Sequence, residues 1–109
     1  MIISLKNKKA LVTGGGTGLG QYIVKALADA GADVAFTSRN NKSLKQTYNL
    51  IGNQKKHIPC KIDLSKKGNV EKLHSKLKKE FGTIDILINN IGHSLEIKKP
   101  FADIKDWEK

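Results

Sequence analysis

The stretch with the clearest capacity for chemistry is Thr13-Gly14-Gly15-Gly16-Thr17-Gly18-Leu19-Gly20, which places five glycines in eight residues directly after the apolar run Ala10-Leu11-Val12. Such a turn between a strand and a helix lets backbone approach a ligand closely. The unpaired N–H groups and the positive dipole end of the helix then attract phosphate. One large class of phosphate binder is disfavoured: counting from Gly15, the fifth residue on is Gly20, and Gln21 stands where a P-loop carries its lysine. The strict G-x-G-x-x-G fingerprint also fails, because Leu19 occupies the place of its last glycine.

What the stretch does fit is T-G-x-x-x-G-x-G, and with that motif the chain resembles the short-chain dehydrogenase/reductase family. Two later stretches agree in order and spacing: Asp63-Leu64, and Asn89-Asn90-Ile91-Gly92, which is similar to the family's N-N-A-G. The resemblance implies a nicotinamide dinucleotide lying along Gly14, Gly16, Thr17, Gly18 and Leu19. It further implies Asp63 with Leu64 at the adenine amino group, and Asn90, Ile91 and Gly92 at the adenine ribose, with Asn89 tying strands together. Ile91 departs from the family's small alanine and adds bulk where backbone should lie close to the cofactor.

The end of the second apolar run bears on which dinucleotide is bound. In such folds an acidic residue about 20 positions past the glycines holds the ribose 2′-OH of NAD, whereas an arginine accommodates the 2′-phosphate of NADP. Here that place is taken by Ser38 and Arg39, the one arginine beside nineteen lysines. NADP is therefore the expected cofactor, NAD the less favoured one, and Ser38 and Arg39 join the cofactor-binding set.

The family's reaction is hydride transfer between the nicotinamide and a carbonyl or carbinol carbon. It uses a tyrosine with a lysine four residues on, because a free tyrosine near pKa 10 is a poor base at neutral pH. Tyr22 is followed at that spacing by Ala26 and Tyr48 by Gly52, so no catalytic residue is assigned. His93 reads as a surface loop residue, His57 and His74 lack partners at metal-ligand spacing, and Cys60 falls within a strand; neither a metal nor a nucleophile is expected. A small carbonyl or alcohol substrate is expected only where a chain supplies the missing serine, tyrosine and lysine. The alternative reading is a non-catalytic nucleotide-binding or protein-interaction module on the same fold. Near the end, "EIKKPFADIKDWEK" resembles the loop and helix start of sugar-acid and polyol members such as gluconate 5-dehydrogenase.

These residues must be positioned by alternating strands and helices. Apolar runs at Ala10 to Thr13, Val34 to Thr37, Ile58 to Ile62 and Ile84 to Ile88 read as strands. Between them, Leu19, Ile23, Ala26, Leu27 and Ala30 share one face of a helix that stops at Gly31. Leu44, Tyr48 and Ile51 repeat the spacing after the capping types Asn40 and Asn41. Val70, Leu73, Leu77 and Phe81 repeat it again, opposite Lys72, Lys76 and Lys79, with Asp63 as a candidate N-cap. A fourth helix is expected from Ala102 or Asp103 to Lys109. The alternation predicts an α/β fold, the N-terminal half of a Rossmann-type doubly wound parallel sheet; the family's strand order is 3-2-1-4. Residues 1–109 are expected to form one such domain, stopping in mid-helix. The fourth strand would then be an open edge at Ile86, Leu87 and Ile88, inviting self-association or a homo-oligomer.

Composition narrows the partners. Twenty basic against ten acidic residues give a formal charge of +10, but the lysines recur in pairs beside apolar segments and read as solvated faces rather than a specific nucleic-acid stripe. The lone Cys60 fits a reducing compartment, and no apolar run approaches a signal peptide or membrane span, so a cytoplasmic location without membrane contact is expected.

Overall fold

The structure, a computed structural model, describes residues 4–16, 18–52 and 55–90. Four strands and three helices alternate: β1 (Lys9–Thr13), α1 (Gly18–Asp29), β2 (Asp33–Ser38), α2 (Asn41–Ile51), β3 (Ile58–Lys61), α3 (Asn69–Glu80) and β4 (Ile86–Asn89). The strands form one parallel sheet in the order β3-β2-β1-β4, with Leu11 opposite Ala35 in β2 and Leu87 in β4. This is the doubly wound arrangement and strand order the sequence predicts. The expected helix near Ala102, together with Ile91, Gly92, His93 and Trp107, lies outside the described residues.

Alternate strand side chains feed two cores, as a sheet covered on both faces requires. Leu11, Ala35 and Cys60 pack with Leu73 and Leu77 of α3 and with Phe81 at its C-cap; Ala10, Val12, Val34 and Phe36 pack on the other face with Val24 of α1 and Leu44 of α2. Burial pushes the Cys60 thiol above its ordinary range, with Lys76 opposing the shift and Glu80 adding to it, so it stays neutral.

Three expectations are corrected. Leu19 and Ala26 are exposed, Leu19 by 66%, and the buried residues of α1 are Gly20 and Val24. Ile23 and Leu27 do pack on the core as expected, but the inward stripe is centred on Gly20 and Val24, because α1 enters on glycines that let its first turn sit hard against β1. The end strands are also shifted: β3 stops at Lys61 and β4 starts at Ile86, since pairing with β2 and β1 sets their limits. Finally, Asp63 does not cap α3, whose N-cap is Gly68; the Asp63 carboxylate folds back onto Ser65 instead. The capping expectation holds at α2, where the Asn40 side chain accepts from the N–H groups of Lys42 and Ser43.

His57 extends the ladder where β3 has not yet begun. Its Nδ1 accepts the Val34 N–H at 3.1 Å, and the ring is buried. Burial holds its pKa below the ordinary 6.5; the Asp33 charge opposes this and Lys55 reinforces it. The folded chain therefore favours neutral His57, while the unfolded chain protonates more readily. The stabilisation is complete above about pH 6.5, is lost as pH falls from there through the folded-state pKa, and changes no further below it. Urea midpoints measured between pH 7.5 and 5.5 should decline, and His57→Gln, which keeps an acceptor without titrating, should flatten the decline. Equal slopes for the two proteins would refute this role.

Candidate functional site

The carboxyl ends of the strands converge on one edge of the sheet, beside the point where strand order reverses between β1 and β4. In open parallel sheets this is where the crevice forms, because the loops leaving the two strands diverge to opposite faces. The glycine turn leaves β1 here, Ser38 and Arg39 leave β2, Asp63 and Leu64 follow β3, and Asn89 and Asn90 end β4. Nine of the twelve cofactor-binding residues proposed from sequence are described, all but Thr17, Ile91 and Gly92, and so is Asn89 beside them.

The turn is fastened to both neighbouring strands. The Gly14 N–H donates to Thr37 Oγ1 at 3.0 Å and the Gly15 N–H to the Thr37 carbonyl at 2.8 Å. On the other side Asn90 Nδ2 donates to the Gly14 carbonyl at 3.3 Å, and Thr13 Oγ1 donates to Asn89 Oδ1 at 3.0 Å. Asn89 does tie strands together, as the family resemblance implied, while Asn90 also reaches the turn itself. At Gly16 an added Cβ would come within 2.7 Å of Ser38 Oγ, so the turn lies directly on the end of β2. Ser38 Oγ is engaged, accepting the Asn40 N–H at 3.1 Å.

Past this contact the turn opens outward. Gly18 begins α1 in a left-handed conformation, φ 56°, with no atom within 4 Å of a Cβ position, and Leu19 beside it projects into solvent. An exposed helix N-terminus on an open glycine turn has the shape and polarity to take a pyrophosphate. The donor set thus fits a dinucleotide.

Beyond Arg39, a cleft of about 510 Å³ runs to the start of α3, lined in part by Arg39, Lys61, Lys66 and Lys72, with Asp63 and Asn69 between them. Asp63 is well prepared as a charged acceptor. The Ser65 hydroxyl donates to its Oδ1 at 2.6 Å and the Ser65 N–H at 3.0 Å. These bonds, in that order, pull its pKa below the ordinary carboxylate range against a small opposing effect of burial, with Arg39 and Lys66 adding to the fall. The Leu64 side chain is buried against the α3 core, which leaves only its backbone for a ligand.

Two residues at the turn escaped sequence reasoning. Thr47 of α2 and Gln21 of α1 hydrogen-bond beneath it, yet a polar residue in an amphipathic helix carries no signal of such a role. Among the described residues no cluster of three or more His, Cys, Asp or Glu could hold a metal, and no helix is long and apolar enough to cross a membrane.

Comparison with known proteins agrees with this geometry. The family model described as short chain dehydrogenase matches residues 8–109. An uncharacterised oxidoreductase of Staphylococcus saprophyticus is 33% identical over 109 residues, covering 98% of this chain and 47% of the relative. The 2-dehydro-3-deoxy-D-gluconate 5-dehydrogenase of Bacillus subtilis is 46% identical over 90 residues, covering 82% of this chain and 35% of that enzyme. A crystal structure of a short-chain dehydrogenase/reductase from Burkholderia xenovorans superposes with a TM-score of 0.75 at 34% identity, covering 81% of this chain and 37% of that one. The chain therefore spans about half the length of the first relative and about a third of the others.

Proposed function

The chain belongs to the short-chain dehydrogenase family, and from that membership we propose that residues 1–109 form the NADP-binding unit of an oxidoreductase. The observation that carries the cofactor choice is Arg39 at the end of β2, beside a cleft lined by three further cations, where an NAD-binding chain would present a carboxylate. A carboxylate would repel a 2′-phosphate, whereas a guanidinium grips it with charge-assisted bonds.

In this reading Gly14, Gly16, Thr17, Gly18 and Leu19 line the pyrophosphate and adenosine, and Ser38 and Arg39 receive the 2′-phosphate. Asp63 accepts the adenine amino group, Leu64 offers backbone there, and Asn90, Ile91 and Gly92 border the ribose. When bound, the cofactor supplies or accepts a hydride at its nicotinamide. The chain's own residues hold the other end: the helix terminus neutralises phosphate charge, Asp63 stays ionised to orient adenine, and Asn90 keeps the turn aligned with β4.

The substrate class we propose is a carbonyl or secondary alcohol, and the 46% identity to a sugar-acid dehydrogenase makes a keto sugar acid the first to try. The lone, buried Cys60 suits work in the cytoplasm. Titration of the full chain with NADPH and NADH tests the cofactor reading. We expect NADPH to bind at least about tenfold more tightly, the worth of one charge-assisted bond. Equal affinities would overturn the NADP preference, and binding of neither would overturn the nucleotide-binding reading as a whole.

A further inference from the structure

The glycine turn is held from beneath by a side chain that belongs to none of the motifs. Thr47, midway along α2, is fully buried. Its hydroxyl lies 3.1 Å from the carbonyl oxygens of both Gly15 and Gly16, and it accepts from Gln21 Nε2 at 3.2 Å. A hydroxyl carries one proton and two acceptor lone pairs. The proton is shared between the two carbonyls, and Gln21 occupies a lone pair, so all three partners depend on one oxygen. Gln21 is the residue that stands where a P-loop would carry lysine; here it braces the turn from the first helix instead of reaching a phosphate.

This arrangement bears on ligand binding because peptide units are rigid planes. A carbonyl held on the inner side of a turn aims the N–H of the same peptide unit outward. Holding the Gly15 carbonyl from within therefore sets the direction of the Gly16 N–H, on the side where a pyrophosphate would lie, and the bond to the Gly16 carbonyl holds that residue from its other end. Asn90 and Thr37 anchor the beginning of the turn, at Gly14 and Gly15. Among the described residues, Thr47 alone makes a side-chain hydrogen bond to Gly16.

We propose that Thr47, backed by Gln21, is a positioning residue for the pyrophosphate of the dinucleotide, acting through the peptide units of Gly15 and Gly16. The proposal rests on the cofactor reading above. Two probes of the full chain separate the two: NADPH, which spans the turn, and 2′-AMP, which carries adenine, ribose and 2′-phosphate but no pyrophosphate. Thr47→Val keeps the shape and removes the hydroxyl. It should weaken NADPH by about tenfold, the worth of a lost hydrogen bond, and 2′-AMP by less than about twofold. Thr47→Ser restores the hydroxyl and should bind NADPH within about twofold of the parent chain.

A loss shared equally by both probes would mean general loosening and overturn the proposal, as would unchanged NADPH affinity. Should the valine variant not fold, Gln21→Met at the half-buried edge of α1 decides: a roughly threefold loss confined to NADPH supports the role, and no loss overturns it. Failure of the parent chain to bind either probe would instead overturn the cofactor reading itself, and this proposal with it.

Discussion

Gly20→Ala is expected to lower the melting temperature by more than about 10 °C and to abolish measurable NADPH binding. A Cβ at this position would stand 2.0 Å from the Gly14 carbonyl oxygen and 2.7 Å from Asn90 Nδ2. The first of these is backbone, so no rotamer change relieves it; either α1 backs away from β1 or the turn distorts. Overpacking of this kind costs about 3 kcal/mol or more, and each kcal/mol shifts a domain of this size by roughly 4–8 °C. The same displacement breaks the Asn90 contact with Gly14 and carries the helix N-terminus away from its ligand.

Gly18→Ala supplies the contrast. Nothing lies within 4 Å of its Cβ position, so its cost is confined to the left-handed backbone, about 1 kcal/mol. Melting curves of the two variants should therefore differ widely although both replace a glycine of one motif. Similar melting temperatures would show that close packing of α1 on the turn is not what position 20 protects.

Arg39→Ala is expected to weaken NADPH about tenfold while leaving NADH affinity unchanged. Hydrogen bonds to charged groups contribute roughly 1.5–3 kcal/mol, and each 1.4 kcal/mol is about a factor of ten. The lower figure applies because Arg39 is exposed and Lys61, Lys66 and Lys72 share its cleft, so their charge compensates in part. Exposure also makes the effect salt-dependent, larger at low ionic strength, where the Debye length exceeds about 10 Å. Stability should hardly move, since among the described residues Arg39 forms none of the ion pairs. Calorimetric titrations with both cofactors at two salt concentrations measure this directly; an equal loss for NADH would place Arg39 somewhere other than at the 2′-phosphate.

Much of this architecture is legible in the linear order of residues. The strand runs around Leu11, Ala35, Cys60 and Leu87, the glycine turn, the Asn40 cap and the α3 face of Leu73, Leu77 and Phe81 all arise from patterns a few residues long, set by local backbone geometry and by periods of 2 and 3.6. The site residues beside Gly14, Arg39, Asp63 and Asn90 fall at strand ends for the same reason.

What needed the folded chain is everything that joins distant segments. Leu19 fits an apolar helix stripe on paper, yet the approach of α1 to Gly14 turns it to solvent. Asp63 has the chemistry of a helix cap, but the chain runs on to Gly68 before α3 begins, and its carboxylate is left beside Arg39 and Lys66 instead. Thr47 lies thirty-two positions from the Gly15 carbonyl it supports, and His57 twenty-three from the Val34 N–H it accepts. A hydroxyl or an imidazole in sequence is simply polar. Only when the sheet orders its strands, and two helices close over one face, does burial decide which of them must find a partner, and which carbonyls they are left to hold.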